Sequence, residues 1–135
     1  MRKFLSLFLV IAIAGCGDLT GVSSNVQGTY QLYSIDGQRV PVAFDTQYGQ
    51  DIFVGGTLRL NSDGSFIETT HIDEVHAGGT DRVVDEEWGS YTARNGNITL
   101  DYDSGGWVDG EYDRSEIVLY AEDAYGSTVI IRYRR

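Results

Sequence analysis

Six consecutive residues, His71-Ile72-Asp73-Glu74-Val75-His76, hold both histidines of the chain and two carboxylates. Imidazole and carboxylate are ligand types of a zinc site, which needs them to converge on one point. On a strand, positions 71 and 76 face opposite sides; on a helix they stand about 140° apart. Only a loop brings them together, and the run lacks the His-Glu-x-x-His spacing of a helical metal site. The simpler reading is a polar strand end entering a loop. Asp101, Asp103 and Asp109 imitate the opening of a calcium loop. The loop pattern then wants oxygen ligands at its fifth and twelfth positions, and these are Gly105 and Tyr112. The three aspartates are therefore weak metal candidates, and a hairpin with outward acids is the better account of them. Asp85-Glu86-Glu87 is a second acidic cluster, which solvation alone explains. No metal centre and no cofactor is expected.

Nucleophilic chemistry is poorly supplied. There is no Gly-x-Ser-x-Gly elbow and no Gly-Lys-Ser/Thr phosphate loop. Lys3 is the single lysine and Cys16 the single cysteine. Carboxylates are plentiful, but no spacing places a pair across a cleft as glycoside hydrolysis requires. The expectation is a protein that is not an enzyme. Trp88, Trp107 and the tyrosines could form a recognition surface, but packing in the core or at a barrel rim is the expectation for them.

The first residues carry a different message. Met1-Arg2-Lys3 is a short positive start, and residues 4–13 are apolar apart from Ser6. That run is too short to cross a bilayer core, which takes about 20 residues of helix. It fits a cleavable export signal. Ile13-Ala14-Gly15-Cys16 resembles the bacterial lipobox. The resemblance implies that Cys16 takes a diacylglyceryl group and becomes the acylated N-terminus after cleavage. Anchoring then follows from the burial of CH₂ groups at ~0.8 kcal/mol each. Gly17, not Asp, follows the cysteine; by resemblance to enterobacterial lipoproteins this favours the outer membrane where the source has two membranes. Otherwise the expected place is the outside of the plasma membrane. Residues 17–27 are rich in Gly, Ser, Thr and Asn, as in a flexible tether. The expected organisation is a signal peptide over 1–15, a lipidated Cys and tether over 16–27, and one domain over 28–135.

Charge narrows the partners. The full chain carries −10; without Arg2 and Lys3 it keeps eight basic residues against 20 acids, a net −12. Such a field repels phosphate backbones, so no nucleic-acid partner is expected.

From residue 28 onward the pattern alternates between short apolar-polar runs and turns. Residues 29–35 lead into Asp36-Gly37. Residues 39–44 form a run broken by Pro41, which suits an edge or bend. Residues 57–60 and 65–72 flank the turn Asn61-Ser62-Asp63-Gly64. The long run 82–94, with a bulge expected at Gly89, meets 97–103 through Asn95-Gly96, a strong hairpin signal. Runs over 107–112, 115–121 and 127–133 complete the chain. Residues 45–51 and 76–81 are expected to be loops. No 3.6-residue stripe follows the leader, so little or no helix is predicted.

About eight main strands joined mostly by short hairpins predict an all-β, up-and-down antiparallel barrel, with a two-sheet sandwich as the alternative. Alternation places Tyr30 and Leu32 on one face, with Leu58 and Leu60 in the next strand. Ile98, Leu100 and Tyr102, then Ile117, Leu119 and Ala121, then Val129, Ile131 and Tyr133 also face in. The strand after Gly64 is ambiguous: Phe66 leads one face, with Glu68, and Ile67 the other. An eight-stranded barrel is just wide enough for side chains to fill or for one small ligand, and this bulky inner set predicts a mostly filled core with a shallow mouth.

The stretch Gly28-Thr29-Tyr30-Gln31-Leu32-Tyr33-Ser34-Ile35-Asp36-Gly37 resembles the first strand and turn of bacterial lipocalin-like lipoprotein domains. Residues 57–66 and 126–135 fit the same pattern. Lipocalins carry Gly-x-Trp at the first strand, where this chain has Tyr30. The resemblance implies a small barrel of unassigned function on a membrane anchor. The leading expectation is a non-enzymatic envelope lipoprotein that binds a protein, a peptide or a small apolar ligand. The alternatives are a structural or interaction protein, including an inhibitor of a secreted enzyme acting through residues 45–51 and 70–81, and a hydrolase.

Overall fold

The computed structural model describes residues 25–135; the leader and Cys16 lie outside them. Ten strands follow one another: β1 Gly28–Ile35, β2 Gln38–Arg39, β3 Val42–Thr46, β4 Gly49–Leu60, β5 Ser65–His76, β6 Gly79–Arg94, β7 Asn97–Tyr102, β8 Trp107–Tyr112, β9 Glu116–Glu122 and β10 Thr128–Arg134. From β4 to β10 every strand pairs antiparallel with the next, and β10 pairs with β1. The ring closes where Gly28–Gln31 pair with Thr57–Leu60. Eight strands thus form the barrel, and β2 and β3 flank the seam between β1 and β4. The fold is the expected up-and-down barrel, and closure removes the free edges wherever a strand is paired on both sides.

The turns follow from local chemistry. A two-residue hairpin of the favoured hand needs φ > 0 at both central residues. Asn95 (φ 53°) and Gly96 (φ 81°) supply it between β6 and β7. Gly89 answers a different constraint. A Cβ there would stand 2.0 Å from the Asp101 carbonyl oxygen and 2.7 Å from the Phe66 ring. The neighbouring carbonyl and ring leave no room for a Cβ, so only a residue without a side chain fits. The ladder at Gly89 is continuous, pairing it with both Phe66 and Tyr102, so the bulge expected there is absent. The bulges fall elsewhere, between Leu32 and Ser34 in β1 and between Phe53 and Gly55 in β4.

Two segments expected as loops are strands. Residues 45–51 belong to the β3–β4 hairpin, and residues 76–81 to the tip of the β5–β6 hairpin. In both, backbone pairing runs to within two residues of the turn, because neighbouring strands supply ladder partners that outweigh polar composition.

Tyr30, Leu58, Leu60, Phe66, Ile98, Leu100, Ile117, Leu119 and Tyr133 fill the barrel and are almost fully buried. The end at Gly28 is plugged. Val26 is buried, and its carbonyl accepts a hydrogen bond of 2.7 Å from the Tyr30 hydroxyl. The Arg135 guanidinium lies 5.0 Å from the Tyr30 ring centroid and donates to the carbonyls of Arg114, Gln27 and Asn25. Residues 25–27, placed in the tether by composition, therefore pack as part of the barrel floor.

Candidate functional site

The opposite end of the barrel is open, and the two bulges explain why. In β4 the inward positions are Leu60, Leu58 and Gly56 below the bulge. The extra residue, Val54, shifts the alternation, so that Phe53 pairs with Ile72 and faces the lumen above it. In β1, Tyr33 is the extra residue and Ile35 takes the inward place opposite Ile131. Past the bulges β1 and β4 no longer pair with each other. Gln38–Arg39 pairs with the end of β1, and Val42–Thr46 with the start of β4. The seam parts at this level.

A pocket of about 540 Å³ occupies the gap. Ile35, Phe44, Phe53, Val129 and Ile131 line it, and Asp36 and Asp123 stand at its rim. Phe44 and Phe53 meet edge to face, with ring centroids 5.6 Å apart and planes at 84°, an arrangement that suits the ring quadrupoles. Each rim aspartate has an oxygen committed to the backbone. Asp36 accepts from the Ile130 amide at 2.7 Å; Asp123 accepts from the Tyr125 and Ser127 amides at 2.8 Å each. The rim is thus built to hold two turns, while the wall is apolar.

Deeper in the lumen sits a polar cluster. The Phe66 face of β5 is the inward one, which carries Glu68 into the barrel. Its Oε2 accepts from the Tyr102 hydroxyl at 2.8 Å, and its Oε1 accepts from the Tyr133 hydroxyl. Burial, and then the charge of Glu68, pushes both phenols above their ordinary value. Two donors satisfy the carboxylate, so Glu68 fixes the inward orientation of Tyr102 and Tyr133.

The residues singled out for metal chemistry do not converge. His71 lies on the outer face of β5 and His76 on the other face, at the hairpin tip. His76 Nδ1 accepts from the Gly78 amide at 3.1 Å, which leaves Nε2 to donate to Asp81 at 2.8 Å. Asp73 accepts two hydrogen bonds from Arg82, 2.5 and 2.7 Å. Asp101, Asp103 and Asp109 are exposed, and Asp109 accepts from the Thr99 hydroxyl at 2.7 Å. Among the described residues no group of three or more His, Cys, Asp or Glu is placed to hold a metal ion. Trp88 and Trp107 are 51% and 71% exposed, on the outside of the wall rather than in the core.

Of the pocket residues, Val129 and Ile131 are inward by simple alternation. Phe44 and Phe53 were not legible as a pair, because their strands carry a proline break and a bulge.

No family model matches this chain, and no curated protein matches it. Among solved structures, it is similar to a chain described as the de novo design of a fluorescence-activating beta barrel. The two share 14% identity over 81% of this chain and 92% of the other, with a TM-score of 0.36.

Proposed function

We propose that this chain is a non-enzymatic envelope lipoprotein, anchored through acyl groups on Cys16, whose barrel takes a small apolar ligand at its open mouth. The observation that carries the binding function is the apolar pocket lined by Ile35, Phe44, Phe53, Val129 and Ile131. Binding pockets for small molecules are concave and mostly apolar, with a few polar groups at fixed places. The rim acids and the net charge of −12 without the leader favour a neutral or cationic ligand over an anionic one.

The geometry suits an anchored carrier. Residues 25–27 lie at the plugged end, and the mouth lies at the other end of the eight-residue β1, roughly 25 Å away. An anchor on Cys16 leaves the mouth directed away from the lipid surface, in an outer membrane where two membranes exist.

Organic extraction of the purified lipidated protein, followed by mass spectrometry, tests the ligand. A stoichiometric apolar compound that is missing from a Val129→Trp preparation supports it. An empty wild-type barrel that also rejects neutral apolar probes contradicts it. For the anchor, intact-mass measurement is expected to show acylation on wild type and none on Cys16→Ser; an unacylated wild type contradicts it.

A second reading, a protein partner on the outer wall, draws on Trp107 and Tyr120, which share a shallow groove with Asp109 and Glu122. Retention of partner binding in a Val129→Trp variant and its loss in Trp107→Ala distinguishes it from ligand binding at the mouth.

A further inference from the structure

The β5–β6 hairpin rises past β7, because β6 has sixteen residues and β7 only six, while β4 stays paired with β5 up to Gly49 opposite His76. Residues Gly89–Arg94 pair with β7, and of these Gly89 and Ser90 also pair with β5, whereas Gly79–Glu87 pair only with β5 among the described residues. The direction of the free backbone groups follows from the ladder. The hairpin turn at Asn95-Gly96 makes Arg94 and Asn97 its closing pair, so even-numbered residues of β6 aim their N–H and C=O toward the β7 side. The Trp88 carbonyl obeys this rule, accepting from the Asp103 amide on that side at 2.9 Å. Beyond it, the amides and carbonyls of Thr80, Arg82, Val84 and Glu86 point outward from an exposed edge. Such a row is a template for another strand.

We propose that this edge of β6 receives an extended, basic segment of a partner polypeptide as an added antiparallel or parallel strand. Charge selects the partner. Residues 80–88 contain four acids, Asp81, Asp85, Glu86 and Glu87, and one base, Arg82, which is already committed to Asp73. A second copy of the same edge would set acids against acids, which disfavours a homodimer here. Asp81, Asp85 and Glu87 share the face of β6 that carries the buried Tyr91 and Ala93, while Val84 and Trp88 share the outer face and are about half exposed. The segment that fits alternates Lys or Arg, beside the first set, with apolar residues, beside Val84 and Trp88. This inference is independent of the mouth pocket, since the edge lies outside it.

The probe is a synthetic eight-residue peptide of alternating Lys with Val or Thr, acetylated and amidated, titrated into the folded full-length chain. Amide exchange read by NMR is expected to slow at Arg82, Val84 and Glu86. Proline at 84 removes an outward N–H and no ladder bond, so Val84→Pro is expected to weaken binding about tenfold while retaining the barrel. A peptide methylated at alternate backbone nitrogens keeps its charge and loses its ladder donors; it is expected to bind about as weakly. That arm stands even if Val84→Pro does not fold. Equal binding of the methylated peptide, or no peptide binding at all, overturns the proposal. Concentration-dependent pairing of the protein through the same amides, without peptide, also overturns it.

Discussion

Glu68 and Tyr133 meet inside the barrel, joined by a hydrogen bond from the tyrosine hydroxyl to Oε1 although 65 positions separate them in the chain. Tyr102 completes the cluster from β7. A hydrogen bond to a charged group contributes more than a neutral one, and removing one partner leaves the other short of a donor. Tyr133→Phe is expected to lower stability by about 2 kcal/mol in urea unfolding. Glu68→Leu removes the acceptor as well, and Tyr133→Phe in that background is expected to cost much less. Equal losses in both backgrounds would show that the hydroxyl acts independently of Glu68.

Alkaline titration reads the same interior. The Tyr91 phenol, which donates to the Asn61 carbonyl, is pushed up to about 12 by burial, with the charge of Asp63 adding to it. Tyr102 and Tyr133 are raised too. Each holds its proton more tightly in the folded chain than in the unfolded one. Their contribution to stability is therefore complete below about pH 10 and is lost as pH rises through the folded values. Absorbance at 295 nm is expected to show the phenolates of these three residues only well above pH 10 or on unfolding. All nine tyrosines ionising near pH 10 in a folded barrel would contradict this.

Gly89 and Gly55 are both strand glycines with opposite surroundings. A methyl at Gly89 runs into the Asp101 carbonyl, while one at Gly55 meets nothing within 4 Å. Gly89→Ala is expected to destabilise by about 3 kcal/mol, and Gly55→Ala to change stability by less than about 0.5 kcal/mol. Thermal unfolding of the two variants checks the contrast; equal effects would remove the close approach at Gly89 as the reason for a glycine.

The strands after Asn95-Gly96 were the most legible part of the chain. Ile98, Leu100, Ile117, Leu119, Ile131 and Tyr133 alternate without interruption, so a period of two assigns each to the lumen. The mouth was less legible for a physical reason. Ile52-Phe53-Val54 is apolar at three consecutive positions, and the inserted Val54 decides which of them faces in. Sequence shows the apolar run but not the bulge; the neighbouring Gly55-Gly56 pair is the signal that could have suggested one. Glu68 was ambiguous because Phe66 and Ile67 are both apolar. Its partners lie 34 and 65 positions away, on strands whose proximity only closure of the barrel creates.

Titration with N-phenyl-1-naphthylamine, a neutral probe that fluoresces in apolar surroundings, tests ligand binding at the mouth most directly. Wild type is expected to give saturable enhancement with one site per chain. Val129→Trp and Ile131→Trp fill the pocket and are expected to weaken binding about tenfold or more with the barrel still folded. No enhancement with wild type, or equal affinity in all three proteins, would contradict a ligand site at the mouth.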